Sequence, residues 1–176
     1  MKNLIIIFTL FLFSNSYSQQ LFLNHQDKEF SLGVKYARGL KGEALHLVGD
    51  YIQSNTFGYN SELTFERNIL NVFEYTDFTH LRLGGGVFYN PLKYAKNNTF
   101  FLHLKAGASI GFETISSKVE DKTEVVFVFG PKVGVNVEVY IFPKTIMFLG
   151  IDQYYLYQSK VGNWHWEAFV GLKRTF

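Results

Sequence analysis

From Phe100 to Thr114 the chain is apolar at almost every even position and, Phe101 aside, polar or small at every odd one. An α-helix brings positions three and four apart onto one face, so this order would leave a helix with no apolar side, whereas an extended strand sorts it cleanly. Phe100, Leu102, Leu104, Ala106, Ala108, Ile110 and Phe112 form one face, and His103, Lys105, Gly107, Ser109, Gly111 and Glu113 form the other. A strand this long needs backbone partners along both edges, so the rest of the chain must supply a sheet.

The same period recurs in seven further segments. Phe30, Leu32, Val34 and Tyr36 alternate with Ser31, Gly33, Lys35 and Ala37. Residues 44–52 set Leu45, Leu47 and Tyr51 against His46 and Asp50, with Val48 and Ile52 falling on the polar side. Phe57, Tyr59, Leu63 and Phe65 oppose Thr56, Asn60, Glu62, Thr64 and Glu66, and in 78–90 Leu81, Leu83, Val87 and Tyr89 oppose His80, Arg82, Gly84 and Gly86. In 124–142, Val133, Val135, Val137, Val139 and Ile141 face away from Lys132, Gly134, Asn136 and Glu138. Residues 145–157 set Met147, Leu149, Ile151, Tyr155 and Tyr157 against Gly150, Asp152 and Tyr154. The final segment sets Trp164, Trp166, Ala168, Val170 and Leu172 against Asn163, His165, Glu167, Gly171, Lys173 and Thr175. Eight such segments predict an all-β fold, an eight-stranded antiparallel up-and-down barrel that uses residues 19–176 as one domain.

The connections give the barrel a direction. Those after even-numbered segments are Ser54-Asn55, residues 91–98 and Pro143-Lys144, two of the three minimal; those after odd-numbered segments, residues 38–42, 68–77, 116–122 and 158–162, are mostly longer and polar. Bacterial membrane barrels have short periplasmic turns and longer outer loops, which puts both ends of this barrel on the periplasmic side. Tyr155, Tyr157, Trp164 and Trp166 then gather at the outer interface and Phe57, Tyr59, Tyr89 and Phe100 at the inner one, as two aromatic girdles.

Ahead of the barrel, Lys2, an apolar run from Leu4 to Phe13 and the small polar segment from Ser14 to Ser18 form a tripartite leader. The apolar run is too short for a transmembrane helix, which needs about 20 residues. Ser16 and Ser18 occupy the minus-three and minus-one positions of a cleavage after Ser18, so residues 1–18 are expected to be an export signal. The chain has no cysteine, which excludes a lipidated cysteine and disulfides. Cleavage leaves 16 basic against 15 acidic side chains, a balance that offers no basic face for nucleic acid.

A soluble barrel of the lipocalin type shows the same alternation with its apolar face turned inward. The composition of the other face favours a membrane barrel. Gly33, Gly84, Gly86, Gly107, Ser109, Gly111, Gly134, Gly150 and Gly171 suit a crowded interior, whereas a water-facing sheet has room for long polar side chains throughout. That interior would hold Lys35, Glu62, Glu66, Arg82, His103, Lys105, Glu113, Lys132, Glu138, Asp152, Glu167 and Lys173. Eight strands enclose little more than their own side chains, so mixed charges there imply a paired plug rather than a wide pore. The expected location is the outer membrane of a Gram-negative bacterium, with lipid as the outward partner. Arg174 falls on the lipid-facing parity near the inner interface, where an arginine costs only about 0–1 kcal/mol.

Four histidines, His46, His80, His103 and His165, share the inward parity. They are spread over four segments, with His103 near the inner end, so they are read as polar partners in the lumen, and neither metal nor cofactor is expected. Ser109 with Glu113, or His165 with Glu167, are the pairs a lipid-modifying enzyme could use. Neither comes with a second recognisable element and both fit lumen packing, so no catalytic residue is assigned.

The run from Thr99 to Ile115, Thr-Phe-Phe-Leu-His-Leu-Lys-Ala-Gly-Ala-Ser-Ile-Gly-Phe-Glu-Thr-Ile, resembles the central signature of the TraO family of conjugal transfer proteins from Bacteroidetes-type conjugative transposons. Phe129-Gly130, Val137-Glu138-Val139-Tyr140, the Pro143-Lys144 turn and the closing Gly171-Leu172-Lys173 resemble the family's second half in order and spacing. The chain departs from the pattern at Asp152-Gln153-Tyr154, where a basic-acidic-basic cluster is expected. The resemblance implies a structural component of a conjugative DNA-transfer apparatus, with other envelope or conjugation-machinery proteins as partners and no catalytic residues. The alternatives are a general envelope barrel acting in adhesion, stability or assembly of another secretion system, and a lipid-modifying barrel enzyme.

Overall fold

A computed structural model describes residues 28–54, 56–68, 76–91, 100–117 and 122–176. The expected export signal, Asn55 and most of the links at 69–75, 92–99 and 118–121 lie outside these residues. The strands are β1 (Glu29–Gly39), β2 (Gly42–Ser54), β3 (Phe57–Asn68), β4 (Thr76–Tyr89), β5 (Phe100–Ser117), β6 (Lys122–Phe142), β7 (Thr145–Tyr155) and β8 (Trp164–Thr175). Each pairs antiparallel with its neighbour in sequence. β8 pairs back onto β1, from Ser31↔Thr175 to Gly39↔Glu167, so the sheet closes on itself.

One end of the barrel carries Glu29, Thr175 and the β2–β3, β4–β5 and β6–β7 connections, and is called here the turn end; the opposite, loop end carries the other four connections. At the turn end, Pro143 and Lys144 reverse the chain with Lys144 in the left-handed region at φ 65°, just after a register shift between Tyr140 and Phe142. At the loop end β5 and β6 run long and stay paired out to Ser117↔Lys122, so residues 122–131 of β6 continue past its last regular pair with β7, Lys132↔Tyr154.

The seventh strand ends at Tyr155, two residues before the alternation suggests. Leu156 turns fully inward, Gln158 adopts φ 65°, and Tyr157 keeps only a single bridge, its N–H donating to Phe129 O at 2.7 Å. Leu156 stays in phase with the inward Asp152 and Tyr154, and the left-handed Gln158 breaks the extended chain where side-chain periodicity alone carries it on.

The apolar parity faces outward around the whole barrel. Leu32, Leu47, Leu83, Ile110, Val133, Leu149 and Val170 are all exposed, while Lys35, Arg82, Glu113, Asp152 and Lys173 are buried. A soluble barrel needs the reverse. Among the described residues, buried apolar side chains form small clusters: Ala37, Ala44, Phe148 and Phe169; Phe101, Tyr140 and Ile146 toward the turn end; and Val128, Tyr154 and Leu156 toward the loop end. Between them the core is ionic.

Candidate functional site: the ionic lumen

Period two sends every second residue of each strand inward, and the barrel's register decides which of them meet. At mid-height Asp152 of β7 receives three ammonium groups: Lys35 of β1 at 2.6 Å, Lys105 of β5 at 2.7 Å and Lys132 of β6 at 3.2 Å. Lys35 and Lys132 also reach Glu62 of β3, at 3.1 and 2.5 Å, and Lys35 lies 3.7 Å from Glu167 of β8. Tyr154 Oη stands 2.8 Å from Glu62 and 2.9 Å from Glu167, so one hydroxyl proton serves two carboxylates. His46 closes this tier, with Nε2 3.2 Å from Glu167 and Nδ1 2.7 Å from Thr64 Oγ1.

Toward the turn end, Lys173 of β8 sits between Asp50 of β2 and Glu138 of β6, at 2.7 Å from each. Glu138 also takes Asn136 Nδ2 at 2.7 Å and faces His103 Nδ1 at 3.0 Å, and the His103 ring stacks on Phe88. Toward the loop end, Arg82 of β4 lies over the Tyr154 ring and donates to Glu66 of β3 at 2.9 Å. His80 spans two acids, with Nδ1 2.9 Å from Glu66 and Nε2 2.6 Å from Glu113 of β5. Glu113 is further held from the β7–β8 connection, by Ser159 Oγ at 2.6 Å and Lys160 N–H at 2.8 Å.

The twelve residues named above for the interior, from Lys35 to Lys173, all lie in these three tiers. Removing an ion from water costs several kcal/mol after relaxation, and a single ion pair rarely recovers it. Here most ions have two or more partners drawn from different strands. Asp50 and Tyr154, which the alternation places inward, also take part, as do Lys41 and Ser159, which it does not single out. Lys41, in the β1–β2 link, donates to Gly162 O at 2.6 Å and lies 3.2 Å from His165 Nε2; burial there pushes its ammonium below the ordinary lysine range. Lys41 and Ser159 sit in connections, which have no period to read.

Space for the long side chains comes from glycines placed directly across from them in register. Lys35 pairs with Gly171, Glu62 with Gly84, Arg82 with Gly111, Lys132 with Gly107, Lys173 with Gly33, and both Lys105 and Asp152 with Gly134. A Cβ added at Gly134 would collide with Asp152 Oδ1. A void beside Lys35, Asp50, His103 and Glu138 has a volume of about 20 Å³, enough for about one water.

The spread of histidines over four strands implies no cluster, yet the structure brings two of them together. His80 and His165 have ring centroids 5.2 Å apart, with Glu66 beside both. His46 stays in the middle tier and His103 in the lower one. Neighbouring inward residues on different strands meet only once the stagger of the closed sheet is known, which periodicity does not supply.

On the outward face, Tyr155 packs edge-on against both Tyr157 and Trp164, at 4.9 Å between centroids in each case, and Trp164 and Trp166 are exposed. Phe129 stacks on Tyr157, and Phe127 and Phe112 continue the row around the loop end. These three phenylalanines sit on the apolar parity at strand ends, a signal that was available in the sequence. At the turn end Phe57 meets Tyr59 edge-on at 5.3 Å and pairs in register with Tyr89; the Phe100 side chain lies outside the described residues.

No protein-family model and no curated protein matches the chain. Solved structures do. Neisserial surface protein A (NspA) superposes with a TM-score of 0.61 at 16% identity, over 84% of this chain and 95% of that one. The N-terminal β-barrel domain of Pseudomonas aeruginosa OprF gives 0.63 at 12% identity, over 86% of this chain and all of that one. Ail, the attachment invasion locus protein of Yersinia pestis, gives 0.57 at 16% identity, over 86% of this chain and 100% of that one. At these identities the likeness is one of fold, and the fold is the eight-stranded antiparallel barrel of bacterial outer-membrane proteins.

Proposed function

We propose that the chain is a non-enzymatic barrel of the Gram-negative outer membrane and a structural component of a conjugative DNA-transfer apparatus. The observation that carries the membrane part is the outward apolar face on a closed sheet with an ionic interior. In water such a surface would be a contiguous apolar patch around the whole molecule. In a bilayer it faces hydrocarbon while the closed sheet satisfies its own backbone groups. The rows of Tyr155, Tyr157 and Trp164 at one end and of Phe57, Tyr59 and Tyr89 at the other suit the two lipid–water interfaces.

The conjugative part rests on the TraO-like run from Thr99 to Ile115 and the similar order of features after it. A structural rather than catalytic role is supported by the state of the candidate pairs. Glu113 is taken up by His80, Ser159 and the Lys160 N–H, and Glu167 by His46 and Tyr154. Deleting the gene in a donor strain should lower conjugation frequency, with recovery on complementation. Unchanged transfer would overturn the conjugative role and leave a general envelope barrel.

A further inference from the structure

Beneath the β7–β8 connection, Nδ1 of His165 is buried with no hydrogen-bond partner among the described residues. The residue is only 5% exposed. Glu66 Oε1 faces that nitrogen from 3.9 Å, beyond hydrogen-bond reach. On the other oxygen of the same carboxylate lies His80 Nδ1, at 2.9 Å. One ligand atom from each of the three residues falls within 4.8 Å of the others. We propose that Glu66, His80 and His165 form a site for a divalent transition cation of the zinc type, with a fourth position left to water.

The donor set selects the class of ion. Two imidazole nitrogens and one carboxylate oxygen suit zinc and its neighbours, whereas calcium and magnesium call for oxygen ligands. Zinc bonds of about 2.0–2.2 Å in tetrahedral array place ligand atoms roughly 3.3–3.5 Å apart. The present separations reach that by small rotations of side chains. The three ligands stand on β3, β4 and β8, so the backbone that holds them is already fixed by the closed sheet.

The surroundings are arranged as an outer shell. A histidine that ligates through one nitrogen commonly donates its other N–H to a carboxylate, and His80 Nε2 lies 2.6 Å from Glu113 Oε2. His165 Nε2 lies 3.4 Å from Ser159 Oγ, which itself donates to Glu113 at 2.6 Å. One carboxylate thus steadies both rings. Two cations stand close. Arg82 engages Glu66 through Oε2 and leaves Oε1 toward His165. Lys41 lies on the Nε2 side of His165, away from the ligating nitrogen, and has Gly162 O as an alternative partner.

The test uses the folded barrel in detergent, with folding checked by heat-modifiable gel mobility, and titration calorimetry with zinc chloride. Wild type should bind one zinc per barrel. His165→Gln and His80→Gln should each weaken binding by more than about 100-fold, and Glu113→Gln, which touches no metal, by about 10–100-fold. His103→Gln, at the far end of the lumen, should leave the affinity unchanged. A cobalt(II) titration should give the visible absorption of a tetrahedral centre in wild type and lose it in His165→Gln. His165 makes no short ion pair, so this variant carries the test if His80→Gln does not fold. A folded wild type that takes up no zinc overturns the proposal, as does affinity unaltered in folded His165→Gln.

Discussion

Asp152 concentrates the logic of the interior in one side chain: three lysines from three strands converge on a carboxylate that is wholly buried. Removing one partner from a buried ion pair costs about 3–5 kcal/mol because the other charge is left bare. Asp152→Ala should lower stability by at least that much in urea unfolding from lipid vesicles. Gly134→Val should be comparably damaging without altering any charge, since its Cβ would meet Asp152 Oδ1; a loss of under about 1 kcal/mol would show that the glycine is not there for the carboxylate. The sequence makes the inward side of these residues readable, because Lys35, Lys105, Lys132 and Asp152 all sit on the polar parity of their strands. It does not make their meeting readable. Parity assigns a face, but the height at which a side chain sits depends on the stagger of the closed sheet, which is why the approach of His80 to His165 is visible only in three dimensions.

Among the elements, the strands are the most legible part of this chain and their ends the least. The alternation locates all eight, and the differences are local: β7 stops at Tyr155, beyond which only a single bridge at Tyr157 remains, and β5 continues to Ser117 because its pairing with β6 persists. The outward face of β7 offers a direct test of what surrounds it. Leu149 lies midway along the strand and is 49% exposed. In hydrocarbon, Leu149→Arg should cost about 2–4 kcal/mol, whereas Arg174→Leu, near the turn end of β8, should change stability by no more than about 1 kcal/mol. Both are read from unfolding in vesicles. Equal small effects at the two positions would mean that the belt faces water.

For the molecule as a whole, closure is the governing fact. A sealed barrel should migrate differently on a denaturing gel before and after boiling, and identical mobility would argue against the closed architecture in detergent. Reconstituted into planar bilayers it should pass no measurable current, because the lumen is filled by paired side chains. Closure also sets an order of events. Lys35 and Asp152 are 117 positions apart in the chain, and Lys173 and Asp50 are 123 apart, so these pairs cannot form within a single hairpin. A growing sheet must keep its concave side wet until β8 reaches β1. The final zippering step is therefore also the drying step, and a chain that lost its last hairpin would stall as a hydrated, unsealed sheet rather than close as a smaller barrel.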